Sequence, residues 1–212
     1  MKFYDVSMAV HPQMPVWKNR DVKRPIFTIQ RDFNPDGSGA RETRVAFDMH
    51  TGTHIDAPLH FIADGDAIEQ IPLSQLVRMV KVFDLTAVDQ QITKADLVSL
   101  AIEPDDFVLF KTKNSYADGF DFEFVFLDRT GAEYLVEKQI AGVGIDALGI
   151  ERDQTDHATH KQLLGSGIII IEGLQLKDVE VGEYLMVAAP LKFQGVEAAP
   201  ARVLLFEQNI LV

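Results

Sequence analysis

The eleven residues HTGTHIDAPLH, positions 50 to 60, bring together the side chains best suited to chemistry in this chain. His50, His54 and His60 are three of its six histidines, and Asp56 stands among them. A lone histidine is usually structural. Three imidazoles and a carboxylate at this density match the nitrogen and oxygen donors that a borderline divalent ion prefers, and three protein ligands leave a coordination position open for water. All four positions are even-numbered, so an extended chain would present them on one face until a turn intervenes. Thr51, Gly52, Thr53, Ile55 and Pro58 disfavour a helix, which predicts strand–turn–strand.

A second group of candidate donors lies near position 160. The stretch ERDQTDHATHKQLL, residues 151–164, predicts a short helix capped near Thr155 and ended by Gly165, with His157 and His160 three apart on it. The apolar run from Gly167 to Ile171 reads as a fully buried strand, and it ends in Glu172. A carboxylate there is either at an exposed strand end or paired with a cation, because burying it alone is costly.

The remaining elements must form the frame. Arg44 to Met49 reads as a strand leading into the histidine motif, and Lys81–Leu85 and Phe107–Lys111 as short strands flanking a helix at Lys94–Ala101. Phe120, Phe122, Phe124 and Phe126 alternate as on a half-buried strand, a reading favoured over an aromatic substrate wall. Asp128 is placed to cap a helix from Arg129 to Gln139, and Gly142–Asp146 returns as a strand. Glu183–Val187 and Arg202–Phe206 read as the closing strands, and Pro- and Gly-rich loops crowd the N-terminal third. Alternating strands and helices with no internal linker predict one mixed α/β (α+β) domain over residues 1–212.

Composition narrows the function. A net charge of −12 argues against nucleic-acid and anionic-membrane partners, leaving a small-molecule substrate. The absence of cysteine excludes disulfides, thiolate ligands and a cysteine nucleophile. MKFYDVS lacks the apolar core of a signal peptide, and Ile168–Ile171 is far too short to span a bilayer, so a cytoplasmic protein is expected. GVGID is no dinucleotide fingerprint, and Ser166 sits in no nucleophile elbow.

HTGTHIDAPLH, preceded by MPVW at Met14–Trp17 and followed by THKQLL, IIIIEGL and APLKFQGVEAAPARV at Ala189–Val203, resembles the cyclase family of metal-dependent hydrolases. That family includes kynurenine formamidases (arylformamidases) and isatin hydrolases. The resemblance implies that His50, His54 and Asp56 hold one metal ion and that Asp56 bridges to a second held by His160 and Glu172. It further implies that His60 transfers protons, that Trp17 lines the substrate pocket, that the fold is a barrel-like swivelling β/β/α arrangement, and that the protein is a homodimer. Lys18-Asn19-Arg20 stand where the formamidases carry Pro-Gly, and Gly149-Ile150-Glu151-Arg152 replace a serine-rich stretch, both where a substrate would be read.

The chemistry so implied is hydrolysis of a small amide, lactam or ester, such as an aryl formamide or an isatin-like ring. Zinc (or manganese), as one or two ions, would lower the pKa of a bound water from 15.7 to about 7 and make it a nucleophile. Asp48 and Asp64 are candidates to orient the ligand histidines. The alternatives are a metal-dependent lyase or cyclase acting on a small carbonyl compound, and a non-catalytic metal or small-molecule binder.

Overall fold

The structure, a computed structural model, describes residues 2–152 and 154–207. Its strands are β1 (Phe3–Asp5), β2 (Ile26–Arg31), β3 (Glu42–Ala46), β4 (His54–Asp56), β5 (Val77–Asp84), β6 (Gln91–Ile92), β7 (Phe107–Lys111), β8 (Phe126–Leu127), β9 (Gly142–Ile145), β10 (Ile169–Glu172), β11 (Gly182–Pro190) and β12 (Ala198–Glu207). Its α-helices are α1 (Lys94–Leu97), α2 (Arg129–Glu137) and α3 (Ala158–Gly165).

Strands β12, β11, β5, β7, β9, β10 and β4 hydrogen-bond in that order, and β4 pairs back onto β12, closing a barrel of seven strands. The run β5–β7–β9–β10 is parallel, and the remaining pairings in the ring are antiparallel. Closure leaves no free edge within the ring. The fold is thus mixed α/β, as expected.

Alternation along these strands divides the apolar side chains between two cores. Ile55, Val80, Val82, Phe107, Leu109, Ile169 and Ile171 fill one cluster with Met186, Ala199 and Leu205 from the antiparallel strands. Val108, Phe110, Val143, Ile145 and Ile170 face the other, against Ala132 and Leu135 of α2 and Leu163 and Leu164 of α3. Residues on either side of Ile55 and Ile171 therefore leave the barrel interior and face the helical layer.

Several elements differ from expectation in extent. Helix α1 is one turn, because Val98 and Ser99 propagate a helix poorly and the chain turns to bury Ile102. Asp128 does cap α2, its Oδ1 accepting Gly131 N at 2.8 Å. Helix α3 starts at Ala158 rather than near Thr155, its N-cap His157 holding a left-handed φ of 48°. Of the four alternating phenylalanines only Phe126 lies in a strand, and Phe120 and Phe124 instead pack against Trp17 from a loop, leaving Phe122 exposed. The predicted strand before the histidine motif ends at Ala46 and pairs with β2 in a hairpin exposed along its whole length. No helix among the described residues is long and apolar enough to cross a membrane.

The junction that matters most to the site lies just past β10. Gly173 has a φ of +71°, and a Cβ there would stand 2.6 Å from the Gly52 carbonyl oxygen. Its own carbonyl accepts the Thr53 hydroxyl at 2.6 Å, tying β10 to the turn that carries His50. Gly173→Ala combines left-handed backbone strain with overpacking against backbone, and should destabilise the protein by about 2–5 kcal/mol in urea unfolding.

Candidate metal centre

Strand β4 supplies the centre of the site. His54 and Asp56 are two apart on it and share a face, while Ile55 between them enters the barrel core. In the antiparallel register with β10, His54 stands directly opposite Glu172. His54 Nε2 lies 3.3 Å from Glu172 Oε2 and 3.4 Å from Asp56 Oδ1. Helix α3 lowers His160 onto the same point, with Nε2 at 3.2 Å from Glu172 Oε1 and 3.6 Å from Asp56 Oδ2.

The even-position argument holds for His54 and Asp56 alone. His50 lies in a turn before β4, because Gly52 takes a φ of +66° and breaks the extended chain. His60 ends a 3₁₀ turn begun by Pro58. Both turns nevertheless deliver their imidazoles to Asp56: His50 Nδ1 is 3.0 Å from Asp56 Oδ1, and the His50 and His60 rings are 4.1 Å apart. The five expected ligands, His50, His54, Asp56, His160 and Glu172, and the expected proton carrier His60 therefore converge. Five of them form two overlapping sets about Asp56, one of His54, Asp56 and Glu172 and one of His50, Asp56 and His60, each with its ligand atoms within 4.8 Å of one another, and His160 adjoins the first through Glu172 and Asp56.

The donor set fits a divalent cation. Both oxygens of Asp56 and Nε2 of His54 are buried without a partner in hydrogen-bonding geometry. A carboxylate so placed is costly unless an ion satisfies it. The electrostatics agree in direction. Burial alone would raise the Asp56 carboxyl, yet the imidazoles of His160, His50 and His54 hold it well below the usual carboxylate range. Glu172 feels burial and the charge of Asp56, but His160 and His54 prevail and lower it to about 2. Burial opposes charge on His54 and His160 as well; carboxylates outweigh it, raising His54 to about 10 and His160 well above its ordinary value. His60 is the exception, since burial lowers it to about 4 and leaves a neutral base.

Reasoning from the sequence missed the groups that orient the histidines. Neither Asp48, which pairs with Lys23 at 3.2 Å, nor the exposed Asp64 does so. The Gly52 carbonyl lies 2.8 Å from His54 Nδ1, and the buried Glu151 carboxylate lies 2.7 Å from His160 Nδ1. A backbone carbonyl two residues away and a carboxylate nine residues away follow no recognisable spacing. The Ile150 amide also donates to Glu172 Oε1 at 2.6 Å, so the segment Gly149–Arg152 braces the site from behind.

Beside the donors opens a cavity of about 230 Å³, lined by Trp17, Lys23, Phe61, Leu148, Arg152 and His157 among others. That exceeds the ~150 Å³ in which a benzene ring fits. Trp17 is held edge-on by Phe120 at 5.3 Å and Phe124 at 5.8 Å between ring centroids. Its indole covers Gly149, where a Cβ would come within 2.6 Å of the ring. Lys18 and Asn19, which follow Trp17, turn the chain with left-handed φ values of 56° and 51°.

The putative cyclase family model matches residues 4–152. A kynurenine formamidase of Salinibacter ruber is 33% identical over 97% of this chain and 97% of its own. A solved structure described as a predicted metal-dependent hydrolase from Bacillus stearothermophilus is 55% identical, with a TM-score of 0.88 over 96% of this chain and 97% of that one. Isatin hydrolase A from Labrenzia aggregata, at 24% identity, shares the fold with a TM-score of 0.84 over 96% of this chain and 93% of that one.

Without metal, His54 makes stability depend on pH in a defined sense. Its pKa is raised in the folded state, so its contribution is complete below about 6.5 and is lost as pH rises towards about 10. The thermal midpoint of chelator-treated protein should therefore fall across that interval. Zinc, which competes with the proton for the same nitrogen, should abolish the fall.

Proposed function

The chain belongs to the putative cyclase family, and from that premise we propose that it is a metal-dependent hydrolase that opens a small amide, lactam or ester. The observation that carries this reading is Asp56, whose two buried oxygens lack hydrogen-bond partners at the meeting point of His50, His54, His60, His160 and Glu172. His50, His54 and Asp56 would hold one ion, and Asp56 with His160 and Glu172 a second, zinc being preferred and manganese acceptable to the same donors. When bound, such an ion supplies Lewis acidity, polarising a carbonyl and lowering the pKa of a water ligand to about 7 in the case of zinc.

The chain's own residues supply the rest. His60 is uncharged at neutral pH and faces His50 and His160 across the cavity edge, so it has a lone pair free to take the proton of the attacking water. Returning that proton to the departing amine or alkoxide completes hydrolysis, a contribution of about 10²–10⁴ in rate. Trp17, braced by Phe120 and Phe124, offers a flat wall on which an aromatic acyl or leaving group stacks. The likeness to a formamidase and to isatin hydrolase supports an aryl formamide or an isatin-like ring as the substrate. The setting we propose is cytoplasmic, and the net charge of −12 disfavours nucleic-acid partners.

We further propose a homodimer. An isolated two-stranded hairpin is marginal in water, yet β2–β3 stands alone with Ile26, Phe27, Ile29 and Val45 exposed. The segment 18–44 that contains it carries seven basic and four acidic residues in a chain of net charge −12, so it complements the acidic body of a second copy. Light scattering should report a dimer, and Phe27→Asp with Ile29→Asp a monomer of unchanged fold; a monomeric parent would refute the assignment.

The function itself is tested by product analysis in ¹⁸O-water with N-formylkynurenine, isatin and simple aryl esters, since hydrolysis must incorporate solvent oxygen and a lyase or cyclase need not. His60→Ala should bind zinc like the parent and lose about 10²–10⁴ in kcat. His54→Ala should lose zinc and activity together. Equal loss of zinc in both variants would make His60 a ligand rather than the proton carrier.

A further inference from the structure

The carboxylate of Glu151 serves two groups of α3 at once. It is 2% exposed, in the segment between β9 and α3. Its Oε2 accepts the backbone amide of Thr159 at 3.0 Å, and its Oε1 takes His160 Nδ1 at 2.7 Å. His157 Nδ1 approaches the same Oε1 at 3.3 Å from the cavity side. Helix α3 needs this help, because its own N-cap His157 provides no side-chain hydrogen bond and sits in the left-handed region. One acid therefore fastens the first turn of α3 and the imidazole that the same turn carries.

The consequence for His160 is a matter of donors and acceptors. A carboxylate can only accept, so Nδ1 must carry the proton that it donates to Glu151. Nε2 is then the atom turned towards Glu172 at 3.2 Å and Asp56 at 3.6 Å. His54 is fixed in the same sense, with Nδ1 on the Gly52 carbonyl and Nε2 towards Asp56 and Glu172. The two imidazoles thus aim the same atom at one locus, but one is backed by a neutral carbonyl and the other by a negative charge. An anionic acceptor makes the imidazole the more basic donor of the two.

We propose that Glu151 is a positioning residue that locks His160 in the Nδ1–H tautomer and strengthens it as a metal ligand while capping α3. This rests on the reading of His160 and Glu172 as ligands.

Glu151→Gln separates positioning from packing. Glutamine has one acceptor oxygen for two donors, so it either gives up the Thr159 amide or turns its NH₂ towards His160 Nδ1 and favours the wrong tautomer. Zinc affinity, measured by competition against a chromophoric chelator, should weaken about 10–100-fold in E151Q. Glu151→Asp, which keeps both oxygens, should recover part of that loss. His157→Gln, which removes the outer contact to Glu151 and the ring packing on Phe61 but leaves both bonds from Glu151 to α3, should bind zinc like the parent. In zinc-loaded parent protein, ¹⁵N chemical shifts should show His160 coordinated through Nε2 with Nδ1 protonated, a result that needs no variant to fold. Coordination through Nδ1, or E151Q binding zinc as tightly as the parent, would overturn the positioning role. A parent that takes up no zinc would instead overturn the metal centre on which it rests.

Discussion

Two carboxylates buried side by side set the terms for everything around them. Asp56 and Glu172 both lie out of solvent, and each would be driven towards its neutral form by burial alone. Three imidazoles crowd against Asp56 and reverse that tendency, while two of them do the same for Glu172. Charge balance on this scale is rarely kept for stability, since a buried ionic cluster gains little over apolar packing of equal volume. A cluster whose central oxygens and one imidazole nitrogen still lack hydrogen bonds has the donors that could hold a cation.

Barrel closure makes the cluster possible. Strand β4 is only three residues long, and it is held on one edge by β10 and on the other by β12. Its backbone groups are satisfied on both sides, so its side chains are fixed to within the tolerance of a ladder rather than of a loop. Opposite parities then part company: Ile55 and Ile171 enter the barrel, and His54, Asp56 and Glu172 turn towards the helical layer. Helix α3, packed by Leu163 and Leu164 on that layer, lowers His160 into place. The two turns that bring His50 and His60 are irregular, and they are held through Gly173 and Pro58.

The cavity beside the donors is walled in part by other regions of the molecule. Trp17 and Lys23 line it from segments outside the barrel, and Phe120, on a further loop, braces Trp17. Side chains on surface segments can change without disturbing those fixed on the barrel wall. Glu151 lies at the boundary between the two, bonded to His160 inwards and approached by His157 from the cavity.

Much of the site was legible in the chain itself. His50, His54, Asp56 and His60 crowd into eleven residues, so their donor chemistry could be read without coordinates, whereas Glu172 ends an apolar strand whose burial was legible while its own was left open. The α/β class, the cap of α2 by Asp128 and the strand Phe107–Lys111 followed in the same way, because each is decided within a few residues. The failures were those of long range or of marginal helix and strand preference. The strand expected to lead into the motif became half of an exposed hairpin, the parity of four positions held for two, and α1 stopped after one turn. Only the tertiary structure decided that Glu172 stands opposite His54, that Glu151 rather than Asp48 orients a histidine, and that Trp17 leans on Phe120 and Phe124. Ligand type and local pattern are properties of neighbouring residues along the chain, whereas register, closure and hydrogen-bond pairing between distant segments are settled by which surfaces can be buried together.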